Sequence, residues 1–183
     1  NFWAWQVARA LGVQDLRGWD RLAAVQPLYN LANRDAELEL LPLCAAEGLA
    51  AVPYSPLARG VLTGKYSSSH EPPPHSRAGR GNPRLMQTEY REANFALAQD
   101  IGRLAKGLDY APSQLALAWV MANPLVTAPI IGPRTLAQLQ QALPVADMVL
   151  ADEVRVACDG LVAPGGVAAS FFNSAAWMRW KRV

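Results

Sequence analysis

The run Tyr54-Ser55-Pro56-Leu57-Ala58-Arg59-Gly60, continuing to Gly64-Lys65-Tyr66, gathers an aromatic ring, a hydroxyl, small residues and two cations. It follows an apolar stretch, Leu49 to Pro53, that reads as a strand stopping at Tyr54. Tyr54 offers a flat face to a heteroaromatic ring. Ser55 and the backbone from Leu57 to Gly60 suit a pyrophosphate, with Arg59 and Lys65 as its counter-charges. A lone tyrosine at a strand end is ordinarily just half-buried packing. The ring, the small-residue turn and the cations together point further, to a dinucleotide.

A second run carries the same chemistry. Val126 to Ile131 reads as a buried strand, Gly132-Pro133-Arg134 turns the chain, and Thr135-Leu136-Ala137-Gln138 fits a capping box opening a helix. A helix start with an adjacent arginine favours a phosphate, although capping boxes are common in ordinary strand-to-helix turns. The stretch 67–87 is rich in serine, proline and glycine and reads as a long loop carrying His75, Arg77, Arg80 and Arg84. Loops of that length inside a compact domain are usually functional, and this one suits an anion-closing flap.

The elements that must position these groups alternate. A helix precedes Gly12, which reads as its stop. Leu22–Val25 forms a strand and Asp35 caps a helix running to Glu47, with Gly48 as its end signal. The strand from Leu49 to Tyr54 follows. Helices are expected over Glu89–Lys106, Ser113–Ala122 with Pro112 at its first turn, Thr135–Leu143 and Asp152–Leu161. Strands alternating with helices imply parallel pairing through crossovers. A (β/α)8 barrel needs roughly 250 residues, so the expected fold is α/β, half of such a barrel.

Composition narrows the class. The chain has 183 residues, 51% of them hydrophobic, which is enough for a real core. A net charge of +2 gives no global reason to expect nucleic acid. No apolar run reaches the roughly 18 residues of a membrane helix. Cys44 and Cys158 have no metal or redox spacing and read as buried thiols of a reducing compartment, which places the protein in the cytoplasm. The tail Ser170–Val183 is aromatic and basic, and packing against the body of the protein or a partner is favoured over a membrane anchor. The chain opens without methionine, just before a helix, as a fragment or processed product would.

Four segments in order resemble the aldo-keto reductases: VQPLYNLANRDAELELLPLCAAEGLAAVPYSPLARGVLTGKY, SRA, SQLALAWVMANP and IIGPRTLAQLQQAL. The resemblance is strongest to the branch of bacterial general oxidoreductases and potassium-channel beta subunits. It covers residues 1–163 and leaves 164–183 as a tail. It implies the C-terminal half of a (β/α)8 TIM barrel binding NADP(H) at its mouth. Asn1 and Gln26 would lie at the nicotinamide and Tyr54 would stack on it. Ser55, Pro56, Leu57, Ala58 and Arg59 would line the pyrophosphate, reached by Lys65, while His75 and Arg77 fold over the cofactor. Gly132, Arg134, Gln138 and Gln141 would hold the 2′-phosphate and adenine. Two departures stand out. Gln141-Ala142 replaces the usual Glu-Asn at the adenine end, and Arg134 replaces a small turn residue, which favours NADPH over NADH. The family's catalytic Asp, Tyr, Lys and His belong to the first half of the barrel, so no catalytic residue is assigned here. The implied activity is reduction of a small carbonyl substrate. The implied partner is a missing N-terminal half or a second copy. The alternative is a non-catalytic NADP(H)-binding regulatory module.

Overall fold

The computed structural model describes residues 1–68 and 70–172. They form helices α1 (Ala4–Arg17), α2 (Leu40–Glu47), α3 (Pro83–Gln87), α4 (Glu92–Gly107), α5 (Pro112–Met121), α6 (Leu136–Ala142) and α7 (Asp152–Leu161). Two short strands, β1 (Ala24–Val25) and β2 (Ala50–Ala51), pair in parallel with Ala24 opposite Ala50 and Val25 opposite Ala51. A parallel pair needs a crossover, and α2 supplies it. A further bridge joins Leu28 to Tyr54, so the pairing reaches the start of the Ser55 turn.

The architecture is therefore mostly helical, with one two-stranded sheet among the described residues. The expected third strand, Val126–Ile131, is corrected. The segment runs beside β2 and makes two backbone bonds, Thr127 N–H to Ala51 O at 2.8 Å and Ile130 N–H to Pro53 O at 2.8 Å. It forms no ladder, because Pro129 lacks a donor. Nor is it a buried strand. Thr127, Ala128 and Ile130 are exposed, since no further strand covers them among the described residues. The opposite flank is similarly open: Leu22 and Ala24 are exposed. Open flanks of this kind are pairing surfaces.

Three helix boundaries also move. Gly12 lies inside α1, because Val7 and Leu11 bury one turn apart and outweigh the roughly 1 kcal/mol cost of an interior glycine. The helix ends at Gly18, whose φ of 65° few other residues adopt readily. Asp35 caps no long helix. It opens a short 3-10 turn, Asp35–Glu37, and its carboxylate accepts from Asn33 Nδ2 at 3.3 Å. Glu89 precedes α4 and is drawn into the interior instead. The loop 67–87 contains α3, capped by Asn82, whose Oδ1 accepts from Leu85 N–H at 3.0 Å.

The core forms where α5 packs on α4 and on the 3-10 helix Ala58–Thr63. Val61, Leu62, Ile101, Leu115 and Val120 are fully buried there, each worth about 1.5–3 kcal/mol of transfer free energy. The 3-10 helix directly follows the Ser55 turn, so this packing anchors that turn from below. Both cysteines are buried and unpaired. Among the described residues no helix is long and apolar enough to cross a membrane. The end of the chain from Asn173, most of the aromatic-basic tail, lies outside the described residues.

Candidate functional site

The turn after Tyr54 has an unusual backbone. Ser55, Ala58 and Arg59 hold φ of 55°, 45° and 55°, and Gly60 holds 94°. Ala58, Arg59 and Gly60 are left-handed in succession after Leu57 at φ −103°, and the step from Leu57 to Ala58 is the right-to-left change that aims backbone N–H groups at anions. Ala58 N–H closes onto Ser55 O at 2.9 Å and Gly60 N–H onto Leu57 O at 2.8 Å. Among the described residues, no acceptor meets the backbone N–H of Ser55 or Leu57. Asn30 braces the turn from the neighbouring segment, its Nδ2 donating to Ser55 O at 2.9 Å. A Cβ on Gly60 would lie 2.7 Å from Lys65 Nζ, so the absence of a side chain lets the ammonium sit over the turn.

The structure joins several of the expected residues to one another, at the turn and at the start of α6. Tyr54 O–H donates to Asn1 Oδ1 at 2.8 Å, joining two residues of the expected nicotinamide end. Burial, ahead of all other influences, pushes the Tyr54 phenol above its usual pKa, so it is neutral at ordinary pH. Arg134 Nη2 donates to His75 O at 3.2 Å, linking the start of α6 to the long loop. The Thr135 hydroxyl caps α6 as expected, accepting from Gln138 N–H at 3.2 Å. The reciprocal bond shifts by one residue: Gln138 Oε1 accepts from Arg134 N–H at 2.8 Å. Gln26, Gly132 and Gln141 are exposed, and Gln141 O accepts from Gln114 Nε2 at 3.1 Å.

Arg59 reaches a partner the sequence did not suggest. Its Nε lies 2.6 Å from Glu89 Oε2, with both side chains largely buried, though the N–H is not aligned on that oxygen. Glu89 Oε2 also accepts from the Thr88 hydroxyl at 2.8 Å, while its Oε1 is buried without a partner. Burial raises the Glu89 pKa, only partly offset by Arg59, Thr88 and Arg77. The available signal was an acid directly after a loop of arginines. Phe171 and Phe172, the first aromatics of the tail, pack on the body of the protein as expected, but against Tyr54 and Leu28. Those aromatics come from the chain's far end, and nothing local points to Tyr54.

A separate polar network surrounds Arg34 on the outer side of α5. Its Nε bonds Glu37 at 2.9 Å, and its Nη1 bonds Asp159 at 2.7 Å and Val162 O at 2.5 Å. The guanidinium lies 4.8 Å from the Trp119 ring centroid. A cavity of about 190 Å³ opens here, between Tyr29, Arg34, Trp119 and Asn123. Tyr29 O–H donates to Glu37 at 2.6 Å and Asn123 Nδ2 donates to Tyr29 at 2.9 Å, so these lining groups are already engaged.

The model of the aldo/keto reductase family matches residues 1–163. The chain belongs to that family. It is 35% identical over 167 residues to an uncharacterized oxidoreductase, YrpG, of Bacillus subtilis, covering 91% of this chain and 48% of the relative. It is 34% identical over 161 residues to a probable aldo-keto reductase of Glycine max, covering 87% and 46%. A probable voltage-gated potassium channel subunit beta of Arabidopsis thaliana is 32% identical over 155 residues, covering 80% and 45%. This aldo-keto reductase chain thus spans about half the length of the curated relatives it matches.

Proposed function

We propose that the chain is the C-terminal, cofactor-binding half of an NADP(H)-dependent aldo-keto reductase barrel that reduces aldehydes or ketones to alcohols. The observation that carries this is the left-handed Ser55–Gly60 turn, with unengaged N–H groups at Ser55 and Leu57 and with Arg59 and Lys65 beside it. These groups fit a pyrophosphate in charge and donor type. In this reading Asn1, Gln26 and Tyr54 orient the nicotinamide. Ser55, Pro56, Leu57, Ala58, Arg59 and Lys65 hold the pyrophosphate, and His75 and Arg77 close over it. Gly132, Arg134, Gln138 and Gln141 take the 2′-phosphate and adenine. When bound, the cofactor supplies the hydride. This chain's part is to bind it, orient it and exclude water, while proton transfer belongs to residues of the other half. Residues 1–163 form the functional unit, and 164–183 are an appended tail.

A second reading is a regulatory NADP(H)-binding module. The similarity to channel beta subunits favours it, because those relatives match over 80% of this chain. Titration of the full chain with NADPH, followed by an assay with 4-nitrobenzaldehyde, tests both. NADPH binding, with turnover appearing only when an N-terminal half is supplied, supports the reductase. Binding with no turnover in either case favours the module. A folded chain that does not bind NADPH overturns both.

A further inference from the structure

Arg59 is held in an unusual way. Its backbone is left-handed, its Nε edge is 2.6 Å from a buried carboxylate, and no protein group bonds Nη1 or Nη2 among the described residues. The fork of the guanidinium, the part suited to phosphate, is therefore left for a ligand while its inner edge is occupied. The backbone of the residue that occupies it is held at both ends. Glu89 N–H donates to Leu85 O at 3.1 Å, and Glu89 O accepts from Asn94 Nδ2 at 2.9 Å and Arg91 N–H at 2.9 Å. Its Oε2 is tied to Thr88, and Arg77 of the long loop also acts on its charge. Glu89 is 4% exposed, and burying a carboxylate so completely is costly unless it is paired and hydrogen-bonded.

We propose that Glu89 is a positioning residue for the pyrophosphate cleft, holding Arg59 by its inner edge so that the outer fork is presented to the anion. The inference rests on the cofactor reading given above. It differs from simple electrostatics in sign. A negative charge next to an anion site opposes binding, so its removal would tighten binding if charge alone mattered. A positioning role predicts the reverse.

The test is NADPH affinity of the full chain by calorimetric titration in wild type, Glu89→Gln, Glu89→Asp, Arg59→Ala and the Glu89→Gln/Arg59→Ala pair, with circular dichroism confirming the fold of each. Glu89→Gln is expected to weaken binding about tenfold. Glu89→Asp, which keeps the charge, recovers part of that loss. In the Arg59→Ala background the Gln substitution costs nothing more. If Glu89→Gln does not fold, the same cycle with Glu89→Asp decides. Binding as tight as wild type, or an equal loss with and without Arg59, overturns the inference and leaves the cofactor reading standing. No NADPH binding by the folded wild type overturns the cofactor reading, and the inference with it.

Discussion

Two arginines with largely buried side chains show opposite designs. Arg34 has its Nε on Glu37, its Nη1 on Asp159 and on a backbone carbonyl, and its face over Trp119. Burial works against its charge, yet the two carboxylates more than compensate and its pKa is raised. Arg59 touches one carboxylate, off-axis, and keeps its fork unbonded. A buried polar network that is fully satisfied rigidifies and specifies structure, whereas an unpaired buried polar group is costly. Arg34 ties α7 and the segment around Gly165 to the body of the fold. Arg59 lies in the left-handed turn with its fork unbonded among the described residues.

The sharpest way to break the contrast is Arg34→Met. It strands Glu37 in a largely buried site and should destabilise the chain by about 3–5 kcal/mol, read from the urea midpoint. Unchanged stability would remove the distinction. Arg59→Ala should cost only about 1–2 kcal/mol, because Glu89, with its raised pKa, can take a proton. It should lower NADPH affinity by more than about tenfold, measured by titration. Arg134→Ala should weaken NADPH by about tenfold and leave NADH unchanged in parallel titrations. Equal losses for both would deny it the 2′-phosphate.

The smallest effect is in pH. The folded Glu89 pKa lies above its ordinary value of 4.5. The protonated group therefore favours the fold below that value, and its contribution is lost as pH rises through the folded-state pKa. Wild type should gain stability relative to Glu89→Gln on acidification from neutrality, as paired thermal melts would show.

The local signals of helix starts and ends were largely legible. Gly48 and Pro112 mark the end of α2 and the start of α5 as the sequence suggests, and Thr135 caps α6. These depend on neighbours in the chain. What was not legible depends on neighbours in space. Val126–Ile131 has the composition of a buried strand, but burial needs a covering partner that the described residues do not supply. Glu89 looks like the first turn of a helix until Arg59, thirty residues away, draws it inward. The anti-helical weight of Gly12 was overestimated because Val7 and Leu11 outvote it only once α1 packs.

The left-handed residues of the turn set two kinds of selection against each other. Glycine is the residue the backbone would choose at 55 and 59, by about 1 kcal/mol each, yet the chain keeps serine and arginine there. A screen for heat tolerance alone should drift toward glycine at 55, while at 59 the backbone gain is offset by the loss of the Arg59–Glu89 contact. A screen for binding should refuse glycine at Arg59 even when the protein is marginal. The positions where the two screens disagree would trace the outline of the site without any ligand being named in advance.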